Sequence, residues 1–240
     1  MRYFLELSYK GTSYAGFQRQ ENANTVQEEV EKAFEILHRE RVEMVTSSRT
    51  DAGVHALQNY MHFDFERAVH PQFIYKMNAI LPNDIVVRKV FEVDKDAHSR
   101  FDAIAREYRY YVYRSKDPFL EDRAYYYPYT LDVELMNRAA NELMQYEDFT
   151  SFSKRNTQVR TFICQIMESE WVEEGSCLVY RVRGNRFLRG MVRGLTGTML
   201  KLGRGRITLE EFHGIIRAKD CTRANFSVPG KGLFLTKVEF

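Results

Sequence analysis

The sequence predicts an α+β fold, on two observations. Some segments alternate apolar and polar residues with period two while others repeat apolar residues at helical spacing, and the two kinds follow one another without the regular alternation of a parallel sheet. Size and composition agree: 240 residues, 44% hydrophobic and 28% charged, with 5 Pro, make a folded chain with a sizeable core, as one large domain or two smaller ones.

Arg2 to Tyr9 alternates and is rich in aromatics, so it reads as a strand. After a loop from Lys10 to Asn24, Thr25-Val26-Gln27-Glu28 has the form of a capping box. Val26, Val30, Ala33, Phe34 and Leu37 then recur at helical spacing, giving a helix over Val26 to His38. Val42 to Thr46 is a short strand, Ser47 to His55 a polar loop, and Asn59 to Phe65 a further strand. Pro71 opens a helix that stops before Pro82, since proline fixes φ and lacks the N–H that a helix interior needs. Ile85 to Val93 and the tyrosine-rich Ala103 to Arg114 return to strand.

The second half repeats this order in outline. A helix is predicted over Val133 to Tyr146, with strands at Thr161 to Val172 and Leu178 to Arg183. A long helix at Arg186 to Leu202 carries Phe187, Leu188, Met191, Val192, Leu195, Met199 and Leu202 on one stripe. A shorter helix at Leu209 to Ala218 precedes a last strand at Leu233 to Phe240. The stretch from Ser115 to Tyr129, with Pro118 and Pro128, is the expected boundary, dividing the chain into halves at 1–115 and 116–240. Each half is expected to back mostly antiparallel sheet with helices, the two sharing a cleft.

No apolar run approaches the roughly 20 residues needed to cross a bilayer. Glu6 interrupts the apolar start, and no small-residue cleavage site follows, so the beginning does not read as a signal peptide. Cys164, Cys177 and Cys221 are odd in number and never spaced Cys-x-x-Cys, which points to neither a disulfide framework nor a zinc site. Reduced thiols and a cytoplasmic location are expected. Formal net charge is only +2, but its distribution is uneven. Gly175 to Leu209 contains no acid and holds Arg181, Arg183, Arg186, Arg189, Arg193, Lys201, Arg204 and Arg206; Phe149 to Met167 is also acid-free. Such stretches face either solvent or phosphates, and charge alone leaves both open.

The most specific segment is Ser47-Ser48-Arg49-Thr50-Asp51-Ala52-Gly53-Val54-His55-Ala56. By composition it is a turn in which Asp51 bonds its own backbone and Gly53 supplies positive φ, a structural role that needs no chemistry. Arg49, two residues before Asp51, shares its face if the backbone is extended. His55, His62 and His70 lack the spacing of a metal site. Gly203-Arg204-Gly205-Arg206 lacks a nucleotide-binding fingerprint, so no metal, nucleotide or other cofactor is expected.

The Arg-Thr-Asp-Ala-Gly-Val-His run resembles the active-site motif of the bacterial tRNA pseudouridine synthase A family. Further matches run in the family's order: Tyr14 to Gln20, Thr25 to Gln27, Asn78 to Pro82, Arg100 to Ala103, Tyr108 to Tyr110, Phe149 to Phe152, Met191 to Arg193 and Lys231 to Leu233. The resemblance implies the pseudouridine synthase fold with a central basic cleft, and the isomerisation of uridine in the anticodon stem-loop of tRNA, at positions 38 to 40. It implies Asp51 as nucleophile, Arg193 as its ionic partner, Tyr108 as the ring that stacks on uracil, and Arg49 as a contact for the extruded nucleotide. Arg19 and Gln18 are weaker RNA-surface candidates. A homodimer is implied as well. Ser48, where the family commonly has glycine, and Asn225-Phe226-Ser227-Val228-Pro229 depart from the pattern. Two rival readings remain open at this point: a non-catalytic structured-RNA-binding protein, and a metal-dependent phosphodiesterase using Asp51, His55 and Asp64.

Overall fold

The computed structural model describes residues 1–155 and 159–240. In chain order the elements are β1 (Arg2–Tyr9), α1 (Val26–His38), β2 (Val45–Thr46), β3 (His55–Asp64), α2 (Phe73–Ile80), β4 (Ile85–Val93), β5 (Ala105–Tyr113), β6 (Tyr125–Tyr126), α3 (Val133–Glu142), β7 (Ile166–Glu174), β8 (Cys177–Gly184), α4 (Met191–Gly203), α5 (Leu209–Arg217) and β9 (Leu233–Glu239). The chain is α+β, with mostly antiparallel sheet and helices. It divides into two units, residues 1–104 with 234–240, and residues 105–233.

In the first unit β1 lies between β4 and β3, antiparallel to both, and β9 runs parallel to β3 with His55 opposite Phe234. Being central, β1 is buried over Tyr3 to Leu7 despite its alternating sequence. One face packs Tyr3 against Phe63, whose ring meets Phe34 of α1 edge-on at 5.1 Å. On the other face Phe4 meets Phe91 and Phe240, and Glu6 is buried with its carboxylate accepting from the Tyr60 hydroxyl at 2.6 Å. The Thr25 hydroxyl caps α1 by accepting from the Glu28 N–H. On α2, Asn78 clamps β4: its Nδ2 donates to the Val87 carbonyl at 2.9 Å and its Oδ1 accepts the Val87 N–H at 2.8 Å.

The second unit repeats the device. There β8 lies between β5 and β7, antiparallel to both, and β6 pairs parallel with β5. Asn137 of α3 clamps β7 by donating to the Trp171 carbonyl at 2.9 Å and accepting its N–H at 2.7 Å. The Trp171 indole N–H meets Met199 of α4 at 3.4 Å, so one strand residue joins both helices. A full capping box at Thr208 and Glu211 starts α5.

Three expectations are revised. The division falls at Ile104 and Ala105, ahead of the proline-bearing stretch from Ser115 to Tyr129, and the last strand belongs to the first unit. The helix expected from Arg186 begins at Met191, because Gly190 sits at φ 75° in the left-handed region, which a right-handed helix cannot traverse. Phe187, expected on the helical stripe, instead meets Tyr108 edge-on at 5.1 Å. Within the acid-free stretch from Phe149 to Met167, residues 156–158 lie outside the described ones.

Candidate active site

The loop that joins β2 to β3 carries Asp51. Its first half alternates in exposure: Ser48 is buried, Arg49 exposed, Thr50 buried and Asp51 half-buried. Asp51 heads a turn, its carbonyl accepting the Val54 N–H at 3.1 Å. The turn expected from composition therefore forms, and it presents the carboxyl group at a partly open position instead of consuming it in the core.

What holds the loop is a set of buried polar contacts from three elements. The Thr50 hydroxyl shares a hydrogen bond of 2.8 Å with the Tyr9 hydroxyl at the end of β1. Asn59 of β3, fully buried, donates to the Ser48 carbonyl at 2.9 Å and also lies within reach of the Tyr9 and Thr46 hydroxyls. The Thr50 carbonyl accepts the Phe17 N–H at 3.0 Å. That approach needs Gly16: it sits at φ 112°, and a Cβ there would stand 3.0 Å from the Thr50 carbonyl oxygen. These contacts explain why the segment from Tyr14 to Gln20 accompanies the Asp51 loop, since it is the loop's backing.

Each histidine weighed for a metal has a local partner. His55 accepts the Gly11 N–H on Nδ1 at 3.1 Å and stacks on Phe234 at 4.5 Å. His70 accepts the Gln72 N–H, and His62 shares a 2.8 Å bond with Ser99. Burial, with His98 and Arg2 nearby, pushes the His62 imidazole down to about 4. Asp64 is bound at both oxygens by Arg2 at 2.8 Å, which lowers its pKa, so the carboxylate that a phosphodiesterase would need is engaged in an ion pair.

In the second unit Tyr108 lies in β5 opposite Val182 of β8, 9% exposed and braced by the Phe187 ring. Arg193 is half-buried on the first turn of α4, and its Nε donates to the Val228 carbonyl at 2.9 Å. The departing segment from Asn225 to Pro229 thus acquires a definite role. Asn225 binds along α4, its N–H donating to the Thr198 hydroxyl at 3.0 Å and its Nδ2 to the Gly197 carbonyl at 3.1 Å. The Tyr110 hydroxyl donates to the Pro229 carbonyl at 2.8 Å, which secures the segment from β5. Tyr9, Asn59, Tyr110 and the Val228 carbonyl are absent from the sequence-read site. The one signal for them is a polar group, Asn59, inside an apolar strand.

The basic stretch is less one-signed in space than in sequence. On β8, Arg181 lies 2.6 Å from Glu174 and 3.5 Å from Glu170, and Arg183 lies 3.4 Å from Glu168, all glutamates of β7. Arg204 stacks over the Tyr129 ring at 3.5 Å. Arg186, Arg189, Lys201 and Arg206 make no ion pair among the described residues. Arg19 lies 3.9 Å from Glu31.

Comparison with known proteins fits this geometry. The tRNA pseudouridine synthase family matches over residues 7–102 and 139–240. The tRNA pseudouridine synthase A of Parabacteroides distasonis is 46% identical, covering 100% of this chain and 96% of its own. That of Bacteroides thetaiotaomicron is 46% identical over 100% and 90%, and that of a Staphylococcus aureus strain 39% identical over 99% and 90%. With its Asp51 loop and Arg193 helix inside the matched regions, and relatives of 39–46% identity spanning nearly the whole chain, the chain belongs to the tRNA pseudouridine synthase family.

Proposed function

We propose that this protein isomerises uridine to pseudouridine in the anticodon stem-loop of tRNA, with Asp51 as nucleophile. The observation that carries the reading is the Asp51 turn itself: a half-buried carboxyl group on a loop fixed by buried hydrogen bonds, inside the family's motif. The reaction breaks the bond between uracil nitrogen and ribose and rejoins the sugar to a ring carbon. The proton leaving that carbon is balanced by one taken up at the nitrogen, so the product is an isomer and no co-reactant is consumed. Only an ionised carboxylate is a nucleophile here.

The remaining roles follow from side-chain chemistry. Tyr108 offers a π face to a base removed from its stack, and a guanidinium such as Arg193 stabilises a carboxylate and fixes its orientation. Arg49, exposed and without a hydrogen-bond partner among the described residues, contacts the phosphate of the extruded nucleotide. The reading includes a cytoplasmic homodimer. No helix among the described residues is long and apolar enough to cross a membrane.

The test is release of tritium from uracil C5 in tRNA, measured for the wild type and for Asp51→Asn. We expect release from the wild type and none from the variant, with tRNA affinity retained. Release by Asp51→Asn overturns the nucleophile, and a wild type that binds tRNA without release leaves an RNA-binding protein.

A further inference from the structure

Resting on Asp51 as nucleophile, we propose that Tyr9 is a positioning residue for the reaction, acting through Thr50, with Asn59 holding the Tyr9 hydroxyl in place. Thr50 is the only residue between the exposed Arg49 and the half-buried Asp51, and it is 8% exposed. Its backbone is tied by the Phe17 N–H at 3.0 Å and its side chain by the Tyr9 hydroxyl at 2.8 Å. A residue fixed at both its carbonyl and its side chain has little freedom in φ and ψ, and the direction of the next side chain is fixed with it. Tyr9 is itself 5% exposed, its ring 5.5 Å from that of Phe17, so its hydroxyl is delivered by a rigid strand end. Asn59 Nδ2 approaches that hydroxyl to 3.3 Å, while its Oδ1 accepts the Tyr60 N–H at 2.9 Å, which sets the amide's orientation.

The geometry separates two tasks. The Asn59 contact to the Ser48 carbonyl holds the loop upstream of Arg49. The Tyr9 to Thr50 bond is made one residue from the carboxylate, where a fraction of an ångström changes the angle of attack. Catalysis is sensitive to displacements of that size.

The test uses the full-length protein and tRNA under single-turnover conditions. Thr50→Val keeps the shape and deletes the shared bond, while Tyr9→Phe keeps the ring and deletes that bond together with the Asn59 contact to the hydroxyl. We expect the rate constant to fall about ten-fold in each variant. The tRNA dissociation constant should stay within about two-fold, and the double variant should be no slower than Tyr9→Phe, which already lacks the contact that Thr50→Val removes. Wild-type rates in Tyr9→Phe, or a parallel loss of tRNA affinity, or additive losses in the double variant overturn the proposal. Asp51→Asn run alongside separates the two levels: tritium release by that variant removes the nucleophile, whereas a dead Asp51→Asn with a fully active Tyr9→Phe removes only the positioning role.

Discussion

The Arg193 guanidinium is held by the carbonyl of Val228, at 2.9 Å from Nε, although 35 residues separate them. The segment that supplies the carbonyl lies so close to α4 that a Cβ on Gly197 would stand 2.2 Å from the Asn225 carbonyl oxygen. Gly197→Ala must therefore push the segment away and release Arg193. Overpacking of this kind costs about 1–3 kcal/mol. Urea unfolding should show that loss together with reduced turnover, and a variant with wild-type turnover would show that the carbonyl does not set Arg193.

Glu174 neutralises two arginines, lying 2.6 Å from Arg181 and 3.4 Å from Arg109. Both pairs are partly exposed, so Glu174→Gln should change stability by less than about 1 kcal/mol. It should also tighten tRNA binding at low salt and steepen the dependence of affinity on salt, because cations now engaged by a glutamate become available to phosphates. Filter binding over a range of KCl concentrations reads this directly, and an unchanged slope would place Arg181 and Arg109 away from the RNA.

His62 should make the protein acid-labile. Its ordinary value is 6.5 and the folded value about 4, with burial as the main cause. Between those values the unfolded chain binds a proton that the folded chain does not, so stability falls as pH drops through this window and is intact above it. The urea midpoint of the wild type should fall between pH 7 and about pH 4.5. In His62→Gln it should fall less, and equal falls would exonerate the imidazole.

Asn78 and Asn137 test the shared clamp. Replacing either with Leu leaves a strand N–H and carbonyl without their side-chain partner, at a cost of about 1–3 kcal/mol. Activity per folded molecule should be unchanged, as measured by turnover after correction for the folded fraction. A loss of turnover without a loss of stability would contradict a purely architectural role.

Much of this was legible in the sequence because it depends on local rules. The bounds of β1, α1 and β4 match the periodicity and capping signals over Arg2 to Val93. The start of α4 is not legible, because the apolar stripe continues through Phe187 and Leu188 and only the backbone at Gly190 shows that the helix begins after it. Ion pairing of Arg181 and Arg183 was hidden because it depends on the register of β7 against β8, which no linear reading supplies. For the site, the Asp51 turn was visible in its composition, whereas its supports come from Tyr9, Phe17 and Asn59 on three separate segments. The return of 234–240 to the first unit is equally non-local.

That return has a cost during synthesis. A ribosome must complete all of residues 105–233 before the parallel neighbour of β3 exists. At ~5–20 residues per second, this leaves the backbone at His55 and Ala56 without that neighbour for roughly ten to thirty-five seconds on every nascent chain. An open strand edge is a template for pairing with other chains. The two-residue edge at His55 and Ala56 is therefore the part of the first unit that stays open longest on the nascent chain.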